Sequence, residues 1–215
     1  MISDTELKYL HSARVRGLRL NLQSDGHAND IEVVKNNVQK AAELIQHLPG
    51  WMLQVFGGAA IWDKIHPTIS ALPVQVIADH VGGLLGSSKL PGASTPEDAL
   101  SQPGFSALLD LARLGRVIIK VSALYRCPDE TDAAYADVAP IISKLAQEVP
   151  DSLIRASDWP HTGEGAQRVG GKNLEKMEEF RKMDDARILS NLREWVGDED
   201  VWHKMMVANP TRLFN

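Results

Sequence analysis

Carboxylate, imidazole, amine, guanidinium and hydroxyl groups recur at the ends of apolar runs in this sequence. They are Arg19 and Asn21; Gln54; Asp79 and His80; Lys120, Ser122, Tyr125 and Arg126; and Asp158, followed by His161. Brought together in one mouth, such a set looks like a hydrolytic site. Strand alternation sharpens the expectation. His80 shares a face with Val74, Val76 and Ala78, and Asp158 with Ile154 and Ala156, so both are expected to point from strand ends into the same space. Lys120, set among Ile118, Ile119 and Val121, is expected to have a carboxylate partner. Of Arg14, Arg16 and Arg19, only Arg19 is read as functional. Cys127 lies beside Pro128 with no histidine near it in sequence, a poor setting for a nucleophile, and Trp62, Trp195 and Trp202 read as packing residues.

Metal binding can be tested by spacing. The seven histidines include no H-x-H and no H-E-x-x-H, the short pairs that put two imidazoles on one ion. A metal would have to be assembled from distant residues such as His80 and Asp158. One cysteine builds neither an internal disulfide nor a Cys-rich zinc site.

The elements that must position these groups follow a simple alternation. Five β-rich runs are expected at Arg14–Leu22, Trp51–Phe56, Val74–Asp79, Arg116–Ser122 and Ser152–Ser157, each bounded by Gly, Pro or polar residues. Helical periodicity fills the gaps. Asp30–Leu48 carries Ile31, Val34, Val38, Ala41, Ala42 and Ile45 on one face and stops at Pro49-Gly50. Thr95 is expected to cap a helix, with Pro96 at its first position and Asp98 closing an acidic capping box. Further helices are expected over Asp129–Val149, kinked at Pro140, and over Asn173–Val196 and Asp198–Asn209, separated by Gly197. Strands alternating with helices imply an α/β fold with a parallel sheet. No G-x-G-x-x-G follows the first strand, so a (β/α) barrel is favoured over a doubly wound sheet. Five strands where a barrel needs eight is the anomaly.

Composition limits the rest. The 215 residues are 44% hydrophobic and 24% charged with a net charge of −5, an ordinary globular balance. With no basic cluster the chain is a poor nucleic-acid binder. No apolar stretch approaches the ~20 residues of a membrane span, and MISDTELKYL is not expected to be a signal peptide. A cytoplasmic protein acting on a small molecule, away from nucleic acid and membrane, is the expectation.

GLRLNL (17–22), VIADHVGG (76–83), IIKVSALYR (118–126), ASDWPHTG (156–163) and NPTRLF (209–214) resemble, in order and spacing, the C-terminal part of the amidohydrolase-related family. The nearest subgroup is that of 2-pyrone-4,6-dicarboxylate lactonase and similar metal-dependent hydrolases. The resemblance implies a TIM-like barrel, with Asp158 ending the last strand as general base toward water. It implies that His80 polarises or orients the scissile carbonyl of a lactone or amide. By the same resemblance Arg19 and Arg126 grip the carboxylates of a small carboxylated substrate, with Gln54 and Tyr125 also substrate-binding. A divalent metal such as zinc is implied as well, although the H-x-H of the family's first strand has no counterpart here. Family members also often carry His at the position of Met52 and Gly at that of Ala156. Residues 1–215 are thus expected to form one domain, an N-terminally shortened barrel of about the last five βα units. Its alternative is a catalytically inert binding or interaction protein retaining the half-site. Open edges at Arg14–Leu22 and Ser152–Ser157 predict either poor solubility or a homo-oligomer that covers them.

Overall fold

Five short runs of extended backbone pair in parallel, in the order β1-β2-β3-β4-β5. They are Gly17–Asn21 (β1), Met52–Phe56 (β2), Val76–Ala78 (β3), Val117–Val121 (β4) and Leu153–Arg155 (β5). The computed structural model describes residues 2–22, 30–128, 135–162 and 180–214. Each strand lies beside its sequence neighbour, with Arg19 opposite Gln54 in β1 and β2, and Lys120 opposite Ile154 in β4 and β5. A doubly wound sheet reverses its strand order at a switch point. Among the described strands no reversal occurs, and the sheet has the winding of a barrel arc.

The two faces of the sheet differ. Leu53, Val55, Val76, Ala78, Val117, Ile119, Val121 and Leu153 join the main core beneath the helices. The opposite face carries a small separate cluster of Met52, Ile77, Ile118 and Ile154, against which Leu213 packs. That face is the barrel interior.

The helices are placed by their caps. α1 (Asp4–Ser12) opens on a capping box between Ser3 and Glu6. α2 (Ile31–Ile45) is capped by Asp30, which accepts from the amides of Glu32 and Val33. It buries Val34, Val38, Ala41, Ala42 and Ile45, the expected face. α3 (Ile61–Ala71) and α4 (Phe105–Arg113) follow β2 and β3.

Several expectations need correction. The strands are shorter than expected; β3 ends at Ala78 because the chain turns through positive φ at His80 and Val81. The Thr95 capping box exists, but it opens a 3₁₀ turn, Pro96–Ser101, rather than an α-helix. Pro103 follows Gln102, whose backbone is extended, as steric contact with the proline ring requires. α5 is Ala139–Glu148, and Pro140 sits in its first turn, where a missing N–H costs nothing, instead of kinking it. Residues 129–134 of the expected helix lie outside the described residues. So do 173–179 of the next; its described part becomes helical only at α6 (Asp185–Val196), capped by Asp184. Gly197 at φ 70° ends α6 as expected, and Asp198 caps α7 (Glu199–His203). The helical backbone continues past Asn209, through a π-helical stretch at Lys204–Ala208 into α8 (Asn209–Phe214). Pro210, with no N–H to give, lies just beyond that stretch.

β1 and β5 end the sheet. The β5 side is not bare at its start. Asn209 Nδ2 donates to the carbonyls of Leu153 (2.8 Å) and Pro150 (2.9 Å), and the Arg212 guanidinium donates to Asp151 O. Among the described residues no helix is long and apolar enough to cross a membrane.

Candidate active site

One fully buried carboxylate organises the interior face. Asp79, immediately after β3, has a side chain with no solvent exposure. Its Oδ2 accepts from Arg19 Nε (2.9 Å), Arg19 Nη2 (2.9 Å) and Gln54 Nε2 (2.7 Å). Its Oδ1 accepts from Lys120 Nζ (2.7 Å) and from the backbone N–H of His80 (3.1 Å). β1, β2 and β4 each contribute a side chain to this hub. Burial pushes the Asp79 pKa up, but His80, Lys120 and Arg19 outweigh it and hold the carboxyl below its ordinary value.

His80 sits above the hub. The expectation that it points into the mouth from the face of Val76 and Ala78 is corrected: that face packs on the helices. The ring reaches the interior because the backbone leaves the strand. His80 and Val81 adopt φ of 50° and 54°, a conformation rare for a β-branched residue and common where a functional group is held in place. Gly83 completes the turn at φ 74°, where a Cβ would collide with the Gly57 carbonyl. His80 Nδ1 then lies 2.9 Å from Ser122 Oγ, Nε2 lies 3.6 Å from Asp158 Oδ1, and Phe56 meets the ring edge-on at 4.7 Å. Burial lowers the His80 pKa below 6.5, against the pull of Asp79 and Asp158, so the imidazole is neutral at pH 7.

Asp158 stands where the resemblance implies, beyond β5, with φ 70°. Its Oδ2 accepts from Tyr125 Oη (2.7 Å) and Arg126 Nε (3.1 Å). Burial and the facing carboxylate push the Tyr125 pKa far up, so its hydroxyl remains a donor. The Arg126 guanidinium lies over the Tyr125 ring at 5.0 Å and also donates to Thr162 O (2.9 Å). His161, three residues on, pairs through Nε2 with Asp185 Oδ2 (3.0 Å) and sets its ring edge-on against Tyr125 at 5.6 Å.

The structure therefore gathers Arg19, Gln54, His80, Tyr125, Arg126 and Asp158 in one place. Lys120 has the carboxylate partner expected for it. Two members were given no role from sequence, although Asp79 stood in the strand-end set. Asp79 follows Ile77 on the interior side, and reading the strand period across all five strands would have marked it beside Arg19, Gln54 and Lys120. Asp185 carries no sequence signal, being an ordinary first-turn acid of α6.

The donor set does not fit a divalent metal. Both oxygens of Asp79 are taken by cations and N–H donors, and Oδ2 of Asp158 by Tyr125 and Arg126. His80 Nε2 and Asp158 Oδ1 are left as one pair. Among the described residues no group of three His, Cys, Asp or Glu is placed to hold an ion.

With this geometry in hand, the comparisons with known proteins are specific. A family model described as amidohydrolase matches residues 2–215. A 4-sulfomuconolactone hydrolase of Rhizobium radiobacter is 28% identical over 215 residues, covering 98% of this chain and 62% of that protein. A 2-pyrone-4,6-dicarboxylate hydrolase of Comamonas testosteroni is 27% identical over 224 residues, covering 99% and 63%. The chain thus spans less than two thirds of the length of these relatives. A crystal structure of an Agrobacterium tumefaciens protein in its apo form superposes with a TM-score of 0.69 at 22% identity, covering 99% of this chain and 65% of that one. This likeness gives the fold: five consecutive βα units of a TIM-like barrel.

Proposed function

The chain belongs to the amidohydrolase family, and on that premise we propose that it hydrolyses a lactone, or a similar acyl bond, in a small carboxylated substrate. The observation that carries this reading is the pairing of Asp158 with His80. Tyr125 and Arg126 hold one oxygen of Asp158, while the other stands 3.6 Å from His80 Nε2, a separation that leaves both groups reaching for a shared third atom. Asp158 takes a proton from water as the water oxygen bonds to the acyl carbon. His80, neutral and with Ser122 Oγ at Nδ1, donates from Nε2 to the carbonyl oxygen as charge develops there. The acyl–oxygen bond of the ring then breaks, and Asp158 returns its proton to the departing oxygen, leaving an opened hydroxy acid.

Charge supports the choice of substrate. Arg19, Lys120 and Arg126 face the carboxylates Asp79 and Asp158, so with His80 neutral the mouth carries a net positive charge. The Arg19 side chain is 41% exposed and spends only Nε and Nη2 on Asp79. Arg19 and Arg126 anchor substrate carboxylates, and Gln54 and Tyr125 complete the pocket. The similar proteins named for 2-pyrone-4,6-dicarboxylate and 4-sulfomuconolactone give the anionic lactones to try first. A cytoplasmic setting belongs to the same proposal, supported by a sequence whose single cysteine cannot form an internal disulfide.

Purified protein assayed with those two lactones should show turnover that Asp158→Asn abolishes. Equal background rates for the two forms overturn the enzymatic reading. Saturable binding by calorimetry without turnover, lost in Arg126→Ala, would replace it with a binding protein.

A further inference from the structure

Behind Asp158 lies a second acid–imidazole pair that the proposed chemistry leaves unused. The residue 158–161 turn is unusual in backbone terms: Asp158 and His161 both adopt positive φ, 70° and 61°, and neither is glycine. Such conformations persist only where the surroundings over-determine them. Here His161 supplies three restraints. Its N–H donates to Asp158 O (2.9 Å), its carbonyl accepts from the N–H of Arg181 (2.9 Å), and its Nε2 pairs with Asp185 Oδ2 (3.0 Å) in the first turn of α6. The ring is buried and packs at right angles to that of Tyr125, whose hydroxyl donates to Asp158 Oδ2 at 2.7 Å. Among the described residues His161 Nδ1 is buried without a hydrogen-bond partner, a cost that mere packing would avoid with an apolar side chain.

We propose that His161 and Asp185 are positioning residues that fix the Asp158 carboxylate and the Tyr125 hydroxyl relative to His80, tying the site to α6. This inference rests on the reading of Asp158 as the water-activating group. Neither residue touches the reacting atoms. The contact of Asp185 Oδ2 with Nε2 orients the imidazole; the oriented ring packs against Tyr125, and its backbone closes the turn that carries Asp158. Asp185 is half exposed, so changing it removes the orienting charge without opening the core.

The test compares wild type with Asp185→Asn, Asp185→Glu and His161→Phe, the last keeping a ring against Tyr125. With an anionic lactone as substrate, Asp185→Asn and His161→Phe should lower kcat roughly 10- to 100-fold. KM should move by less than about threefold, since the carboxylate anchors Arg19 and Arg126 are unaltered. Asp185→Glu, which can still reach the imidazole, should recover most of the loss. Amide exchange measured by mass spectrometry should quicken in the segment 153–162 of the two damaging variants, while the segment 117–121 of β4 stays protected. Imidazole ¹⁵N shifts should place the His161 proton on Nε2 in wild type. Wild-type kcat in both damaging variants, or a loss confined to KM, overturns the inference. Absence of turnover in wild type would sink the proposed function alone; unchanged exchange in 153–162 would then still overturn the positioning role.

Discussion

Replacing Asp79 by alanine isolates the hub that the fold builds beneath its mouth. The side chain is fully buried and accepts from Arg19, Gln54, Lys120 and the His80 amide. Removing it strands the Lys120 ammonium, whose side chain is only 19% exposed, with no counter-charge. Breaking one partner out of a buried ion pair costs about 3–5 kcal/mol. Against a typical domain stability of roughly 5–15 kcal/mol this is a large fraction. At ~2–4 °C per kcal/mol for a chain of this size, Tm should fall by roughly 6–20 °C. Calorimetry and urea unfolding at pH 7 measure it. The deficit should also depend on pH. Because the folded Asp79 pKa lies below the ordinary 3.8, its stabilisation is complete above that value and fades as pH falls through the folded pKa. Wild type and variant should therefore converge in acid. Adding Lys120→Met should return part of the lost stability at pH 7, since it removes the stranded charge. A deficit below about 1 kcal/mol, or no recovery in the double variant, would refute the view of Asp79 as the counter-ion on which the neighbouring side chains depend.

Other expectations follow from the same geometry. An NMR titration of the His80 ring should give a midpoint below the ordinary 6.5, because burial disfavours the cation; a midpoint at or above 6.5 contradicts its role as a neutral donor. The unfolded chain takes up that proton first, so His80 should also make stability fall as pH drops below 6.5, a slope that His80→Phe removes in urea titrations. Asn209→Leu deletes two hydrogen bonds to the β5 end and leaves the Leu153 and Pro150 carbonyls without them, which should cost roughly 1–3 kcal/mol in urea unfolding. Light scattering should find a homo-oligomer or aggregates, since no described strand pairs with the outer edge of β1; a stable, cooperatively melting monomer would show that edge to be harmless.

Strand positions were legible in the sequence because parallel strands covered on both faces read as bounded apolar runs. All five runs contain a strand. The helix at 30–48 was legible for the same kind of reason, its 3.6-residue stripe and Pro49-Gly50 stop agreeing. What failed were places where a proline or a positive φ decides. Pro140 starts α5 rather than bending a longer helix, and Pro103 stops the turn opened by Thr95. His80 shows the limit most clearly. Alternation assigned it a face, yet the chain leaves the strand before it, and the ring reaches the site by an unfavourable backbone turn that periodicity cannot see. Asp79 was visible as a polar residue at a strand end, but its five donors come from three other strands and the next residue, a convergence that no local window contains.

The strand order has a consequence for how such a chain comes off the ribosome. Every strand finds its partner in the strand made just before it, so each βα unit can dock as soon as it emerges. Arg19 reaches Asp79 across 60 residues, and Arg212 reaches Asp151 across 61. The arginine of β1 can thus meet its carboxylate before the second half of the chain exists. Asp158 and its Tyr125–Arg126 clamp arrive later, as a second instalment laid on a finished floor. The strand order thus permits vectorial assembly, in which Arg19 and Gln54 can close on Asp79 before Lys120 and then Asp158 are made.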